Sequence, residues 1–156
     1  MFSMLTSMDL LEGSSVLDLF AGSGALGIEA LSRGASTVTF VDIDPAALRS
    51  VRANLAGFPE RNQDTVVVRS DAVRYLGGAG SFDTVLADPP YRFEQWAVIL
   101  DLLAPRTATL VAESDHPLEP GPAWETVKVR KYGGTVVTVA QPAAHLPIVV
   151  PIEGEK

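Results

Sequence analysis

The chain reads as an α/β protein: a three-layer sandwich with a mostly parallel sheet, helices on both faces, and an antiparallel β-hairpin at the end. Three observations predict this. Short β-branched runs alternate with amphipathic helical stretches, the pattern of a parallel sheet. A glycine-rich turn, Gly22-Ser23-Gly24-Ala25-Leu26-Gly27, follows the first of those runs. Near the end the helices stop, and two β-rich runs flank Tyr132-Gly133-Gly134, a hairpin signal.

Each element follows from its residues. Val16-Leu17-Asp18-Leu19-Phe20 is a short strand. The glycine turn leads into a helix over about 25–32, with Leu26, Ala30 and Leu31 on one face and Gly34 as its C-terminal cap. Residues 37–41 form the second strand, closed by Asp42-Ile43-Asp44-Pro45. Pro45 suits a first helical turn, and Ala47, Leu48, Val51 and Leu55 give that helix an apolar stripe. Residues 65–69 form the third strand, ended by Ser70-Asp71-Ala72; a short helix follows, its end marked by Gly77, Gly78 and Gly80. Phe82-Asp83-Thr84-Val85-Leu86-Ala87 is the fourth strand and runs into Asp88. Residues 93–103 read as a helix, with Trp96, Ile99, Leu100 and Leu103 spaced for burial. Residues 107–113 are the fifth strand, and 125–131 and 135–140 are the hairpin. Pro142, Pro147 and Pro151 make 142–156 a loose or edge-lying tail.

The 156 residues form one domain, 1–156. An apolar content of 47% and a mean hydropathy of +0.21 fit a packed core and exclude disorder. With no cysteine, disulfides and thiolate metal sites are excluded, and no metal site is read. No apolar run reaches the ~18 residues that span a bilayer. The opening residues are interrupted by Asp9 and Glu12 and lack a basic flank, so no signal peptide is read. A cytoplasmic monomer without a membrane partner is expected. The net charge of −7 leaves 12 basic residues against 19 acids. Phosphate contacts need Lys and Arg, so a nucleic-acid partner would have to meet a local patch, such as Lys128, Arg130 and Lys131 or Arg49 and Arg52.

The glycine turn suits a ligand, because no Cβ blocks approach to the backbone and the helix N-terminus adds N–H donors and positive potential. Gly22, Gly24 and Gly27 match the dinucleotide spacing, and Asp42 sits about where a ribose-binding acid belongs. Two residues favour S-adenosylmethionine over a dinucleotide. Asp18, inside the strand before the loop, can meet the ammonium of a methionine end and would repel a pyrophosphate. Asp71 can accept from an adenine amino group. The competing roles are a plain turn for the glycines and helix capping for Asp42, Asp44 and Asp71.

Asp88-Pro89-Pro90-Tyr91 ends the fourth strand, at the sheet edge where open α/β folds bind ligands. A base's exocyclic amine is a poor nucleophile, because its lone pair is delocalised into the ring. Hydrogen bonds from its two N–H groups to Asp88 and the Pro89 carbonyl would pyramidalise it. The prolines lack N–H and fix φ, and Tyr91 can stack on the flat ring. Catalysis would then come mainly from positioning. The competing reading of Pro89-Pro90 is a rigid turn.

Together these residues resemble the Rossmann-like class I adenosylmethionine-dependent methyltransferases of amino groups, whose (Asp/Asn/Ser)-Pro-Pro-(Tyr/Phe/Trp) motif stands here as Asp88 to Tyr91. The long run from Leu17 to Ala35 is similar, more narrowly, to the 16S ribosomal RNA guanine-N2 methyltransferase family. Phe2-Ser3-Met4-Leu5 and Arg130-Lys131-Tyr132-Gly133 fit it too. The resemblance implies a seven-stranded sheet and methylation of a guanine N2 in 16S rRNA or the small ribosomal subunit. It implies a cofactor site of Asp18, Phe20, Ala21, Gly22, Ser23, Gly24, Asp42, Ile43, Asp71 and Ala72. Asp88, Pro89, Pro90 and Tyr91 are implied as the catalytic group that holds a flipped base.

Other readings compete. An adenine-N6 enzyme would want a target-recognition domain, for which 156 residues leave little room. Protein glutamine methyltransferases favour Asn where Asp88 stands. Family members usually carry a basic, Arg-containing segment ahead of the position of Phe2, and its absence here supports a cofactor-binding module with little activity. An NAD-linked oxidoreductase lacks an evident catalytic His or Tyr-Lys pair. His116 and His145 are read as loop residues without a role, and Trp96 and Trp124 as packing groups.

Overall fold

In the computed structural model, which describes residues 1–143, the chain runs α1 (Phe2–Ser7), β1 (Ser15–Leu19), α2 (Ala25–Ser32), β2 (Thr37–Asp42), α3 (Pro45–Leu55), a 3₁₀ turn (Pro59–Asp64), β3 (Thr65–Arg69), α4 (Ala72–Gly78), β4 (Phe82–Ala87), α5 (Trp96–Leu103), β5 (Thr107–Ser114), β6 (Trp124–Tyr132) and β7 (Thr135–Pro142). Among these residues, seven strands form one sheet in the order β3-β2-β1-β4-β5-β7-β6. β1 to β5 are parallel, and β7 joins antiparallel to both β5 and β6. The expected fold class and hairpin are therefore both present. No helix among the described residues is long and apolar enough to cross a membrane.

Strand alternation sorts the core into two layers. Val16, Val38, Phe40, Leu86, Val111, Val137 and Val139 face α1, α2 and α3. Leu17, Leu19, Val41, Val85, Leu110 and Ala140 face α4 and α5. The helices meet the sheet through the predicted stripes: Leu48, Val51 and Leu55 of α3, and Ile99, Leu100 and Leu103 of α5, are buried. On α2 the buried face is Gly27, Ala30 and Leu31, while Leu26 is only half-buried. Gly27 matters there because a Cβ on it would stand 2.4 Å from Phe40 Cε1.

Several details depart from expectation. α1 was not anticipated; six residues are too few for a periodic signal, yet Met4 and Leu5 are buried. α5 starts at Trp96 rather than 93; residues 93–95 lead into it as non-helical chain, with Phe93 packed edge-on against Phe20. Pro142 belongs to β7 and so is not tail; residues 144–156, with His145, lie outside the described residues. The 3₁₀ turn was also unforeseen. It is tied down by Arg61, which bonds Asp64 at 2.8 Å and donates to the carbonyls of Leu31 and Ala35.

Candidate active site

The chain leaves β1 toward β2 and β3, then crosses back to β4 and β5. Beside β1 the order reverses, and open α/β sheets bind ligands in that crevice. Two cavities lie there. One, of about 400 Å³, is walled by Phe20, Gly22, Asp42, Ile43, Asp71 and Ala72. The other, of about 380 Å³, is walled by Tyr91, Arg92, Trp96, Glu113, His116 and the hairpin tip at Gly134-Thr135. Asp88, Pro89, Pro90 and Phe93 line both, so the cavities share a wall.

The first cavity is built by the β1–α2 loop. Phe20 and Ala21 both donate backbone N–H to Val41 O, at 3.0 and 2.9 Å, which fastens the loop to β2. Phe20 takes a left-handed φ of 76°, a strained conformation for an aromatic residue, as found at functional sites. Gly22 has φ 56° and nothing within 4 Å of the position a Cβ would take, so only a glycine leaves this wall open without strain. Asp42 accepts from Gly22 N at 2.8 Å and from Asp44 N at 2.9 Å. The expected ribose-binding acid therefore also holds the glycine loop. Asp44 and Asp71 cap α3 and α4, accepting from Ala46 N and Arg74 N. Asp71 still lines the cavity. Ile43 stays 64% exposed, a bare apolar side chain on the wall.

Four of the expected cofactor residues do not line this cavity. Ala21 is buried and accepts from Gly24 N at 2.8 Å; Gly24 is the N-cap of α2; Ser23 accepts from Asn54 Nδ2 through its carbonyl. These three shape the loop from behind. Asp18 lies deeper, 1% exposed, with Oδ2 accepting from Gly27 N at 2.9 Å. Its Oδ1 is buried with no hydrogen-bond partner among the described residues. Burial pushes its pKa from 3.8 up to about 7, the Gly27 hydrogen bond opposes this, and the Asp88 and Asp42 charges add to it. A buried carboxylate oxygen left open suits a cationic partner, so the residues present fit a cofactor that carries an ammonium group.

In the second cavity Tyr91 is 78% exposed, and the Arg92 guanidinium lies over its ring, 5.8 Å from the centroid. Burial raises the pKa of Asp88. Phe93 packs edge-on against Phe20 at 5.1 Å and Trp96 at 5.4 Å. This aromatic chain braces the shared wall from both sides. Trp124, as expected, is buried packing, its indole N–H donating to Leu100 O. Trp96 packs on Phe93 and the core beneath it, as expected, and in addition lines the second cavity. His116, to which no role was given, also lines that cavity and pairs with Asp115. Sequence reasoning missed Phe93 and Glu113. Glu113 could have been found, because it stands near the C-terminal end of β5, on the ligand-binding edge.

A reversal crevice with two adjoining cavities, one under a glycine loop and one beside Asp-Pro-Pro-Tyr, defines a Rossmann-like class I methyltransferase. Comparison with known proteins agrees. The family described as "Conserved hypothetical protein 95" matches residues 1–141. A Bacillus subtilis protein named "Putative rRNA methyltransferase YlbH" is 39% identical over 82% of this chain and 76% of its own. "Ribosomal RNA small subunit methyltransferase D" of Haemophilus influenzae is 32% identical over 81% of this chain and 70% of its own. The solved structure of "Putative methyltransferase yhhF" from Escherichia coli superposes with a TM-score of 0.79 at 30% identity, covering 92% of this chain and 82% of its own. The chain belongs to the Conserved hypothetical protein 95 family, alongside the small-subunit rRNA methyltransferases D.

Proposed function

We propose that this protein transfers a methyl group from S-adenosylmethionine to the exocyclic N2 of a guanine in 16S rRNA. The observation that carries this reading is the shared wall: Asp88, Pro89, Pro90 and Phe93 border the glycine-loop cavity on one side and the Tyr91 cavity on the other. A donor and an acceptor seated there are neighbours, so binding converts a two-body encounter into a positioned one. The RNA target is supported by the names of the relatives that cover most of the chain.

S-adenosylmethionine, when bound, supplies an electrophilic methyl on a sulfonium that leaves as a neutral thioether. Everything else falls to the chain. Asp42 holds the glycine loop in shape and presents its carboxylate to the ribose hydroxyls. Ile43 packs on the adenine ring, and Asp71 accepts from the adenine amine. Asp18, buried behind the glycine loop, supplies the negative charge that the ammonium faces. Asp88 and the Pro89 carbonyl accept the two N–H bonds of the target amine, directing its lone pair at the methyl group, while Tyr91 stacks on the base. The net charge of −7 makes a local contact with RNA necessary. The exposed run Arg130-Lys131-Tyr132 leads into the hairpin tip at Gly134 and Thr135, which lines the acceptor cavity.

The test is methyl transfer from labelled S-adenosylmethionine to small ribosomal subunits from a strain lacking this protein, followed by mass mapping of the product. Label on a single 16S guanine as N2-methylguanine is expected. Label on adenine or on a protein glutamine would replace the reading by one of its competitors. No label, with the cofactor still bound, would leave a binding module.

A further inference from the structure

The acceptor cavity holds a second carboxylate, Glu113, that makes no hydrogen bond among the described residues. In the β4–β5 ladder Ala87 pairs with Ala112, and Asp88 and Glu113 are the next residue on each chain. Neighbouring strands are ~4.8 Å apart. Leu86 and Val111, two residues earlier on each chain, both face the α1–α3 layer, and the charge of Asp88 is felt at Glu113. Both line the cavity. Neither has a hydrogen bond or an ion pair among the described residues. Burial and then the Asp88 charge raise the pKa of Glu113, and the chain's amino group offsets this in part.

Two neighbouring carboxylates repel each other. A ligand that presents N–H donors to both relieves the repulsion. Purine edges differ on this point. Guanine carries N1–H directly beside its N2 amine, three N–H bonds in a row. Adenine places the bare lone pair of N1 beside its amine. A carboxylate beside the amine-holding group therefore bonds guanine and is repelled by adenine.

We propose that Glu113 is the specificity-determining residue of this site, accepting the N1–H of the target guanine while Asp88 holds its N2 amine. The inference rests on the guanine-N2 reading above and adds the residue that enforces it. Glu113 touches the base away from the reacting nitrogen, so its effect falls on the choice of base. A site built to bond a polar group discriminates strongly against an analogue lacking it, because its own buried group is then left unpaired.

The experiment uses 16S rRNA made by splint ligation with either guanine or 2-aminopurine at the nucleotide the wild-type protein modifies. 2-Aminopurine keeps the amine but has a lone pair at N1. Wild type is expected to favour guanine by about a hundredfold or more in kcat/KM. Glu113→Gln, whose amide can turn to donate, is expected to cut that ratio at least tenfold. Glu113→Asp keeps the charge but withdraws it by one methylene, and should lose rate while keeping the preference. Cofactor affinity, measured alongside, should match wild type in both variants, and the melting temperature of the Gln variant should be no lower than that of wild type. If the Gln variant keeps the wild-type ratio, the assignment of Glu113 falls while the guanine-N2 reading stands. If wild type modifies no guanine at all, both fall.

Discussion

Replacing Asp18 by Asn should make the fold more stable and the cofactor weaker, two effects of opposite sign from one atom. Asp18 is 1% exposed, has an unpartnered Oδ1, and has its pKa raised to about 7 from 3.8. The folded state therefore holds the proton more tightly than the unfolded chain. The stability this gives is fully present below pH 3.8 and is lost as pH rises through about 7. Roughly three pH units at about 1.4 kcal/mol each put the cost of the ionised carboxylate near 4 kcal/mol above that window. Asn keeps an oxygen for the Gly27 N–H and carries no charge, but its amide N–H bonds take the open position and cost about 1–3 kcal/mol unpaired. The variant should thus gain about 1–3 kcal/mol over wild type at pH 8. Urea unfolding of the cofactor-free protein measures this. The stability difference between variant and wild type should rise by about 3 kcal/mol from pH 5 to pH 8. A difference that stays flat across that range would refute the account of Asp18 as a strained, buried acid. Calorimetry on the same samples should show weaker S-adenosylmethionine binding, since the ammonium loses its counter-charge.

Three further substitutions test the rest of the site. Asp88→Ala should lower methyl transfer by about 10²–10³-fold or more, the scale of removing one polarising group, while calorimetric cofactor affinity changes little; unchanged turnover would remove it from the chemistry. Asp42→Ala should weaken cofactor binding by about 1–3 kcal/mol, because Gly22 N–H and Asp44 N–H lose their acceptor along with the ribose; equal dissociation constants for variant and wild type would count against this role. Gly27→Ala should destabilise the fold by about 1–3 kcal/mol through overpacking on Phe40 and Val38, with cofactor affinity secondary; a melting temperature equal to wild type would show that α2 can move away from the sheet.

Much of the site was legible before any coordinates. Glycines at a strand-to-helix turn, an acid closing β2, and Asp-Pro-Pro-Tyr closing β4 are short local patterns. Each says what its own backbone must do, and the structure puts each at the expected sheet edge. What those patterns hid was division of labour. Ala21, Ser23 and Gly24 stand in the same motif as Gly22, yet they make the loop's own hydrogen bonds and the cap of α2 and do not line the cavity. Asp42 bonds Gly22, 20 residues away, so its structural duty depends on β1 and β2 lying side by side. Phe93 shares the apolar spacing of Trp96 and Ile99, yet it stands ahead of α5 and packs on Phe20, a contact between distant segments that the spacing does not carry.

The order of residues alone settles the α/β class, the hairpin, and the glycine and Asp-Pro-Pro-Tyr motifs, because hydrophobic period and turn chemistry act over a few neighbouring residues. Folding decides that two cavities meet at Asp88 and Phe93, that Asp18 is sealed with one oxygen open, and that Glu113 stands beside Asp88. Those facts come from strand register and layer packing between segments far apart along the chain, which no local pattern encodes.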